Sequence, residues 1–455
     1  MSVFKSYDIR GIYNKDFNKD DVYKIGYFLP EVLMTSKVLI GRDVRQSSPE
    51  IFEYLVKGIT DSGTDVYDAG LATTPMVYYG TAKFGFEASV MITASHNPAE
   101  YNGLKVSGKN AKPIGFDNGL NKLKQLIETE EINVSPIKGN IHRINVKSSY
   151  FEYLNEYVPK LNKLKISLDC SNGMAILFIK KLLGEDNVSY IFDELDGRFP
   201  NHEANPLIAK NIIDLQDHVR ENKSDIGVIF DGDADRVMFV DENAKFISPD
   251  LMIAVLAHYF LEEKGLKGKV LQDIRTSKAV GEYISQFGGG EIEMWRVGRA
   301  YAARKLKEIN GVFGGELAGH YYFKDFFFSD SGILACLLIL RVFAKMKERG
   351  ISVSELISKI KKYQNSGEIN FKIEDKQSAM DAVLDFYKSK AVPEKFYDFD
   401  GYRIEYADWW LSIRKSNTEP YLRFLAEANS DELLKQIVND VTEIIKNYGG
   451  ETEFS

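Results

Sequence analysis

The sequence predicts an α/β protein built from three successive strand–loop–helix units and closed by a smaller α+β tail. Three observations carry this. Short β-type runs alternate with helical apolar spacing through most of the chain, which favours mixed α/β sheets. Polar, turn-forming loops recur at the strand ends. From about Tyr363 the pattern changes to period-two alternation, the mark of antiparallel strands with one wet face. At 455 residues the length suggests about three domains and allows four.

In the first unit, Val38 to Ile40 reads as a strand. Ser47-Ser48-Pro49-Glu50 then opens a helix, with a serine cap, a proline at the first position and Ile51, Leu55 and Ile59 on one face. Asp65 to Tyr67 is another strand, and Thr73-Thr74-Pro75 starts another helix. Val90 to Ile92 runs into the turn Thr93, Ser95, His96, Asn97 and Pro98, and the chain leaves through Asn102-Gly103 into Leu104 to Val106. Pro98 keeps Asn97 out of the helical region, so Ser95 is expected as a displayed, solvent-facing hydroxyl or as a plain capping serine. Residues 109–147 are polar and weakly patterned, which places a boundary there.

The second unit begins with Leu164 to Asp169, continues through Val188 to Phe192, and contains DIGVIFDGDADRVMFV from Asp225: strand, acidic loop, strand. The third unit follows Pro249, with a helix from Leu251 to Leu261, a strand at Val270-Leu271, a helix around Lys278 to Tyr283, and Gly311 to Glu316 as a strand entering a glycine turn. The greasiest run, Ile333 to Ala344, contains Arg341 and is too short to span a bilayer, so it predicts a buried helix. The expected domains are 1–147, 148–247, 248–362 and 363–455. In the last, strands over Tyr402–Tyr406, Trp409–Ile413 and Tyr421–Ala426 precede an amphipathic helix from Asp431 to Lys446.

The hydrophobic fraction of 44% and charged fraction of 27% are those of an ordinary globular protein. A net charge of −8 argues against nucleic acid as a partner, and an anionic substrate would need a locally positive cleft. Two cysteines, Cys170 and Cys336, predict a reducing, cytoplasmic compartment. The N-terminus lacks an apolar signal core, and no membrane partner is expected. A monomer or a homodimer is expected.

Four loops carry chemistry. In the acidic loop Asp231, Asp233 and Asp235 alternate with Gly232 and Ala234. Three carboxylates this close repel one another, so a cation is the usual reason to keep them together. With oxygen donors only, Mg²⁺ is favoured over zinc. A calcium EF-hand is rejected, because Arg236 occupies the position that needs glycine and the flanks are strands. The tail loop Arg414-Lys415-Ser416-Asn417-Thr418-Glu419-Pro420 offers a guanidinium, hydroxyls and turn N–H groups suited to a phosphate dianion. Gly314-Gly315-Glu316-Leu317-Ala318-Gly319-His320 offers a carboxylate to neighbouring sugar hydroxyls. The turn at Ser95 is the fourth. Tyr7-Asp8-Ile9-Arg10-Gly11 adds a guanidinium that could face an anion. A hydrolase pair of Ser95 and His96 is the weaker option, since the chain lacks a Gly-x-Ser-x-Gly elbow and an evident acid partner.

Together TASHNPAEYNGLKV, DGDADR, GELAGH and RKSNTEP, supported by YDIRG and GRDVRQSSP, resemble the α-D-phosphohexomutase family, in order over essentially the whole chain. The resemblance implies three similar mixed α/β domains and a smaller C-terminal α+β domain around a central cleft. It implies a phosphoryl-carrying Ser95, with His96, Arg10, Lys105 and Arg236 as its catalytic surroundings and Lys105 as a proton shuttle. Mg²⁺ would be held by Asp231, Asp233, Asp235 and Ser95. Glu316 and His320 would bind the sugar, and Arg414, Ser416, Asn417 and Thr418 the non-reacting phosphate, on a hinged last domain. The implied reaction moves phosphate between the 1- and 6-positions of mannose or glucose, through a hexose 1,6-bisphosphate that also serves as activator. Two departures stand out. Arg296 and Arg299 lie where bacterial relatives commonly carry a lysine and a histidine. Arg299 cannot release a proton at neutral pH and is expected to bind phosphate instead. Ala318 replaces a usual serine.

Overall fold

The computed structural model describes residues 2–416 and 421–453. Its architecture is four sheets with helices packed on them, and the first three sheets repeat one topology. In the first, Asp65–Leu71, Lys37–Arg42 and Ala88–Ile92 lie parallel in that spatial order, and Tyr101–Gly108 then pairs antiparallel with Ala88–Ile92. In the second, Val188–Ile191, Ile166–Asp169 and Ile226–Phe230 are parallel and Val237–Asp241 is the antiparallel neighbour. In the third the order is Gly290–Trp295, Gly268–Asp273, Phe313–Gly315 and then antiparallel Tyr321–Phe323. Each motif loop of these sheets is therefore the connection from the last parallel strand to its antiparallel partner. The fourth sheet is wholly antiparallel, and its motif loop joins Trp409–Lys415 to Tyr421–Ala428.

Local chemistry explains most element starts. Thr73 caps the helix Thr74–Lys83 by accepting from Met76 N. Ser352 and Glu355 form a capping box on Val353–Ile360. The helix Ser48–Asp61 differs from expectation: Ser47 has helical backbone angles and makes no side-chain cap bond. Its hydroxyl instead accepts from Asn102 Nδ2, and Ser48 donates to Asp43, so both serines are drawn toward the neighbouring loop. The stretch 109–147 is more ordered than its composition suggests. It holds the helix Leu120–Thr129, with Leu120, Leu123 and Ile127 in the first core, and the strand Ile141–Arg143, which extends the first sheet. Gly332–Glu348 is the expected buried helix, with a run from Gly332 to Leu340 wholly inside. Burying each of its leucines or isoleucines contributes roughly 1.5–3 kcal/mol. Among the described residues no helix is long and apolar enough to cross a membrane.

The polar face of the tail sheet is not wet, as its alternation suggested. Arg403, Glu405, Ser412 and Glu427 are all buried. Arg403 donates to Ile274 O at 2.8 Å and Thr276 O at 2.6 Å, and Ser277 Oγ donates to Glu427 at 2.6 Å. Trp410 Nε1 also donates to Glu427 at 2.7 Å, beneath the Arg403 guanidinium, 3.7 Å from the indole centroid. Polar alternation marks a face that leaves the local core; here that face docks on the third unit through hydrogen bonds to main-chain carbonyls and to Ser277. Arg403→Met strands the buried Glu405 carboxylate and two carbonyls. It should cost about 3 kcal/mol, read as a lower midpoint of thermal unfolding.

Candidate active site

The turn after Ala88–Ile92 is tightly held. Ser95 adopts φ 53°, and its N–H donates to Thr93 Oγ1 at 2.9 Å. The hydroxyl is not solvent-facing as expected, for Ser95 is only 1% exposed. It donates to Asp231 Oδ2 at 2.9 Å, and His96 Nδ1 lies 3.4 Å from the same oxygen. Burial pushes the His96 pKa well below the usual range, and the charges of Arg236, Arg10 and Lys105 push it further, so this imidazole is neutral at physiological pH. Arg10 donates to Asn97 Oδ1 at 2.7 Å and pairs with Asp8.

Arg45, which sequence inspection passes over, holds the Ser95 turn. Its buried guanidinium donates to four carbonyls of the Ser95 turn: Ser95 at 2.8 Å, Asn97 at 2.7 Å, Pro98 at 2.6 Å and Tyr101 at 3.0 Å. Asp43 accepts from its Nε at 3.2 Å, and Phe199 of the second unit stacks on it. The available signal was GRDVRQSSP itself, an Arg and an Asp two residues apart at a strand end.

Asp231, Asp233 and Asp235 are fully buried. Gly232 is required because a Cβ there would sit 2.6 Å from Ser95 O. Lys105 Nζ donates to Asp233 at 2.6 Å and Asp235 at 2.5 Å, and Arg236 Nε lies 3.8 Å from Asp231. Burial pushes Asp231 well above the usual carboxylate range, Asp235 and Asp233 add to this, and Arg236 and Lys105 oppose it. Burial would lower Lys105, but Asp233 and Asp235 outweigh it and raise its pKa, so the ammonium is kept. One oxygen each of Asp233 and Asp235 is buried without a hydrogen-bond partner. Such orphaned carboxylate oxygens in an all-oxygen set fit a hard divalent cation. Among the described residues Asp235, His320 and Asp330 form a second group of metal-ligand type. It is the poorer site, since Arg299 and His320 already use both oxygens of Asp330.

The sugar loop faces this centre. Glu316 accepts from Gly298 N at 2.6 Å and from Tyr322 Oη at 2.7 Å. His320 Nε2 meets Arg236 Nε at 3.0 Å and its Nδ1 meets Asp330 at 2.7 Å. Arg299 lies 3.7 Å above the Tyr78 ring. A cavity of about 190 Å³ is lined by Arg10, Lys105, Arg236, Arg299, Glu316 and His320, with Ala318 also on its wall. Its lining sets the cations Arg10, Lys105, Arg236 and Arg299 against Asp8, Asp235 and Glu316. A larger cavity of about 650 Å³, lined by Asp250, Ser277 and Glu427, lies away from these groups. Arg296 is not brought to the small cavity; it stacks 4.2 Å from the Tyr301 centroid. Arg414 is buried in the fourth unit, 3.8 Å from Glu368, with its Nε unpartnered, and Ser416 N donates to Tyr421 O. Asn417 and Thr418 lie outside the described residues. Arg275, also missed in the sequence, pairs with Asp273, which accepts from Leu317 N in the sugar loop at 2.9 Å.

Arg45→Lys should lower kcat by about 100-fold with little change in KM, because it loosens the Ser95 turn and leaves the groups that line the small cavity in place. Steady-state kinetics will read both constants.

Four family models match in order: phosphoglucomutase/phosphomannomutase α/β/α domains I, II and III over residues 1–133, 148–245 and 248–363, and the C-terminal domain over 368–444. A phosphomannomutase of Methanocaldococcus jannaschii is 35% identical over 453 residues, 98% of both chains. One of Vibrio cholerae is 33% identical, covering 98% of both. A crystal structure of a phosphoglucomutase/phosphomannomutase family protein from Burkholderia thailandensis superposes with TM-score 0.88 at 28% identity, covering 100% of this chain and 99% of that one. The open form of a Paramecium phosphoglucomutase, at 15% identity and TM-score 0.76 over 94% of this chain and 92% of that one, shares the fold.

Proposed function

The chain belongs to the phosphoglucomutase/phosphomannomutase family and is a phosphohexomutase, and from that premise we propose that it interconverts the 1- and 6-phosphates of mannose and of glucose through a phosphoserine at Ser95. The observation that carries the proposal is the hydrogen bond from Ser95 Oγ to Asp231, which joins the nucleophile's turn to the acid loop across two units.

The phosphoryl group on Ser95 passes to a free hydroxyl of the bound hexose phosphate. The P–O bond to Ser95 breaks, a P–O bond to the sugar forms, and the product is a hexose 1,6-bisphosphate. One proton moves from the sugar hydroxyl to the departing Oγ, while Lys105, kept as an ammonium by Asp233 and Asp235, steadies charge on the transferred group instead of shuttling that proton. A divalent cation such as Mg²⁺, held by Asp231, Asp233, Asp235 and Ser95, would neutralise charge on the transferred group. Arg10 and Arg236 line the same cavity and face that charge from the protein side. The bisphosphate turns over within the cleft and returns its other phosphate to Ser95. Glu316 accepts sugar hydroxyl protons, and His320 contacts the ring. Arg299, as a fixed guanidinium, binds phosphate rather than moving protons. Arg296 is the least supported contact, being turned onto Tyr301. Arg414, Ser416, Asn417 and Thr418 hold the non-reacting phosphate. A cytoplasmic location suits this chemistry and the two free, buried cysteines.

The assay couples mutase product to a dehydrogenase with the 1-phosphates of mannose, glucose, glucosamine and N-acetylglucosamine. Turnover of the first two is expected, and a clear preference for glucosamine 1-phosphate overturns the sugar assignment. Intact-mass spectrometry should show a species about 80 Da heavier that is lost in Ser95→Ala together with all turnover. Asp233→Asn should depress the rate and weaken metal dependence, and chelation should silence the wild type. Arg414→Ala should mainly raise KM.

A further inference from the structure

Asp330 sits on the short strand Ser329–Asp330, paired with Tyr321–Phe323 in the third sheet, and is fully buried. One carboxylate oxygen accepts from Arg299 Nε at 2.8 Å and the other lies 2.7 Å from His320 Nδ1. A guanidinium can only donate, so at 3.0 Å from Arg236 Nε the His320 Nε2 must be the acceptor. With Nε2 accepting, the ring N–H is on Nδ1 and is given to Asp330. The same carboxylate holds Arg299 by Nε alone. Arg299 Nη2 is left buried and unpartnered on a side chain that lines the small cavity. Tyr78, from the first unit, supports the other face of that guanidinium.

We propose that Asp330 is a positioning residue for the mutase reaction: it fixes the His320 tautomer and aims Arg299 into the cleft as a single unit. The inference rests on the assignment of His320 and Arg299 as sugar-phosphate contacts. It gives the arginine at this position a built-in partner. Without Asp330 a long guanidinium could fold back on the adjacent acid loop and compete with Lys105 for Asp235. Arg299 and His320 lie on opposite oxygens of Asp330, and an amide there presents an acceptor on one side and an NH₂ donor on the other, so it cannot accept at both places. Asp330→Asn must therefore release Arg299 or reverse the His320 tautomer.

The test has two arms. Nitrogen-15 NMR of the imidazole in the wild-type protein should show the proton of His320 on Nδ1 near pH 8; an Nε2–H tautomer overturns the proposal without recourse to any variant. In kinetics, Asp330→Asn should lose about 10–100-fold in kcat/KM, chiefly through KM, while the Ser95 phosphoryl mass stays near wild type and the unfolding midpoint falls no further than in Arg299→Gln. The double variant with Arg299→Gln should be no worse than the more damaged single. Independent, additive losses, or a loss confined to the unfolding midpoint, overturn it. Absence of phosphoryl on wild-type Ser95 would instead defeat the mutase mechanism and leave the tautomer measurement standing.

Discussion

Three carboxylates in one buried turn dictate much of this protein's organisation. At about 4 Å, two like charges repel by roughly 4 kcal/mol even at an effective dielectric constant near 20. Asp231, Asp233 and Asp235 have no solvent to spread that charge. The fold answers with donors from several directions. Lys105 and Thr74 of the first unit reach Asp233, Ser95 reaches Asp231, and Arg236 lies alongside. The main chain of the turn is gripped as well. Met174 N donates to Gly232 O, Thr74 N to Asp233 O, and Gly332 N to Ala234 O. A loop that would be unstable alone becomes the point on which three units converge.

The repeated sheet topology makes that convergence possible. A connection from a parallel strand to an antiparallel neighbour must turn back at the carboxyl end of the strand, which is where ligands collect in α/β sheets. Three such turns, from three sheets, carry Ser95, the three aspartates and Glu316. The fourth is a hairpin tip of an antiparallel sheet. The docking of that sheet through Arg403 and Glu427 onto the loop at Ile274 to Ser277 also bears on the loop that holds Glu316, since Asp273 just before it accepts from Leu317 N.

The motif loops were legible because each is short, polar and bounded by apolar runs. Chemistry that depends on adjacent residues, such as three alternating aspartates, survives in one dimension. Five things did not show. The depth of Ser95 was hidden, since a serine in a turn reads as exposed until a second unit closes over it. Arg45 was hidden because its partners are main-chain carbonyls, which leave no mark in side-chain spelling. Asp330 was hidden because its two partners lie ten and thirty-one residues away, on a loop and a helix start. The helix Leu120–Thr129 was lost in a lysine-rich stretch where only three apolar residues point inward. The tail sheet's polar face misled for a related reason: alternation reports that a face leaves its own core, and it is silent about the surface that receives it.

The contact between Gly232 and the Ser95 carbonyl leaves no room for even a methyl group. Two main chains that close cannot slide past one another, so the hydroxyl and the acids travel as one body whenever the cleft breathes. The spacing between the Ser95 hydroxyl and the three carboxylates is thereby set by main-chain contact and not by the rotamers around it.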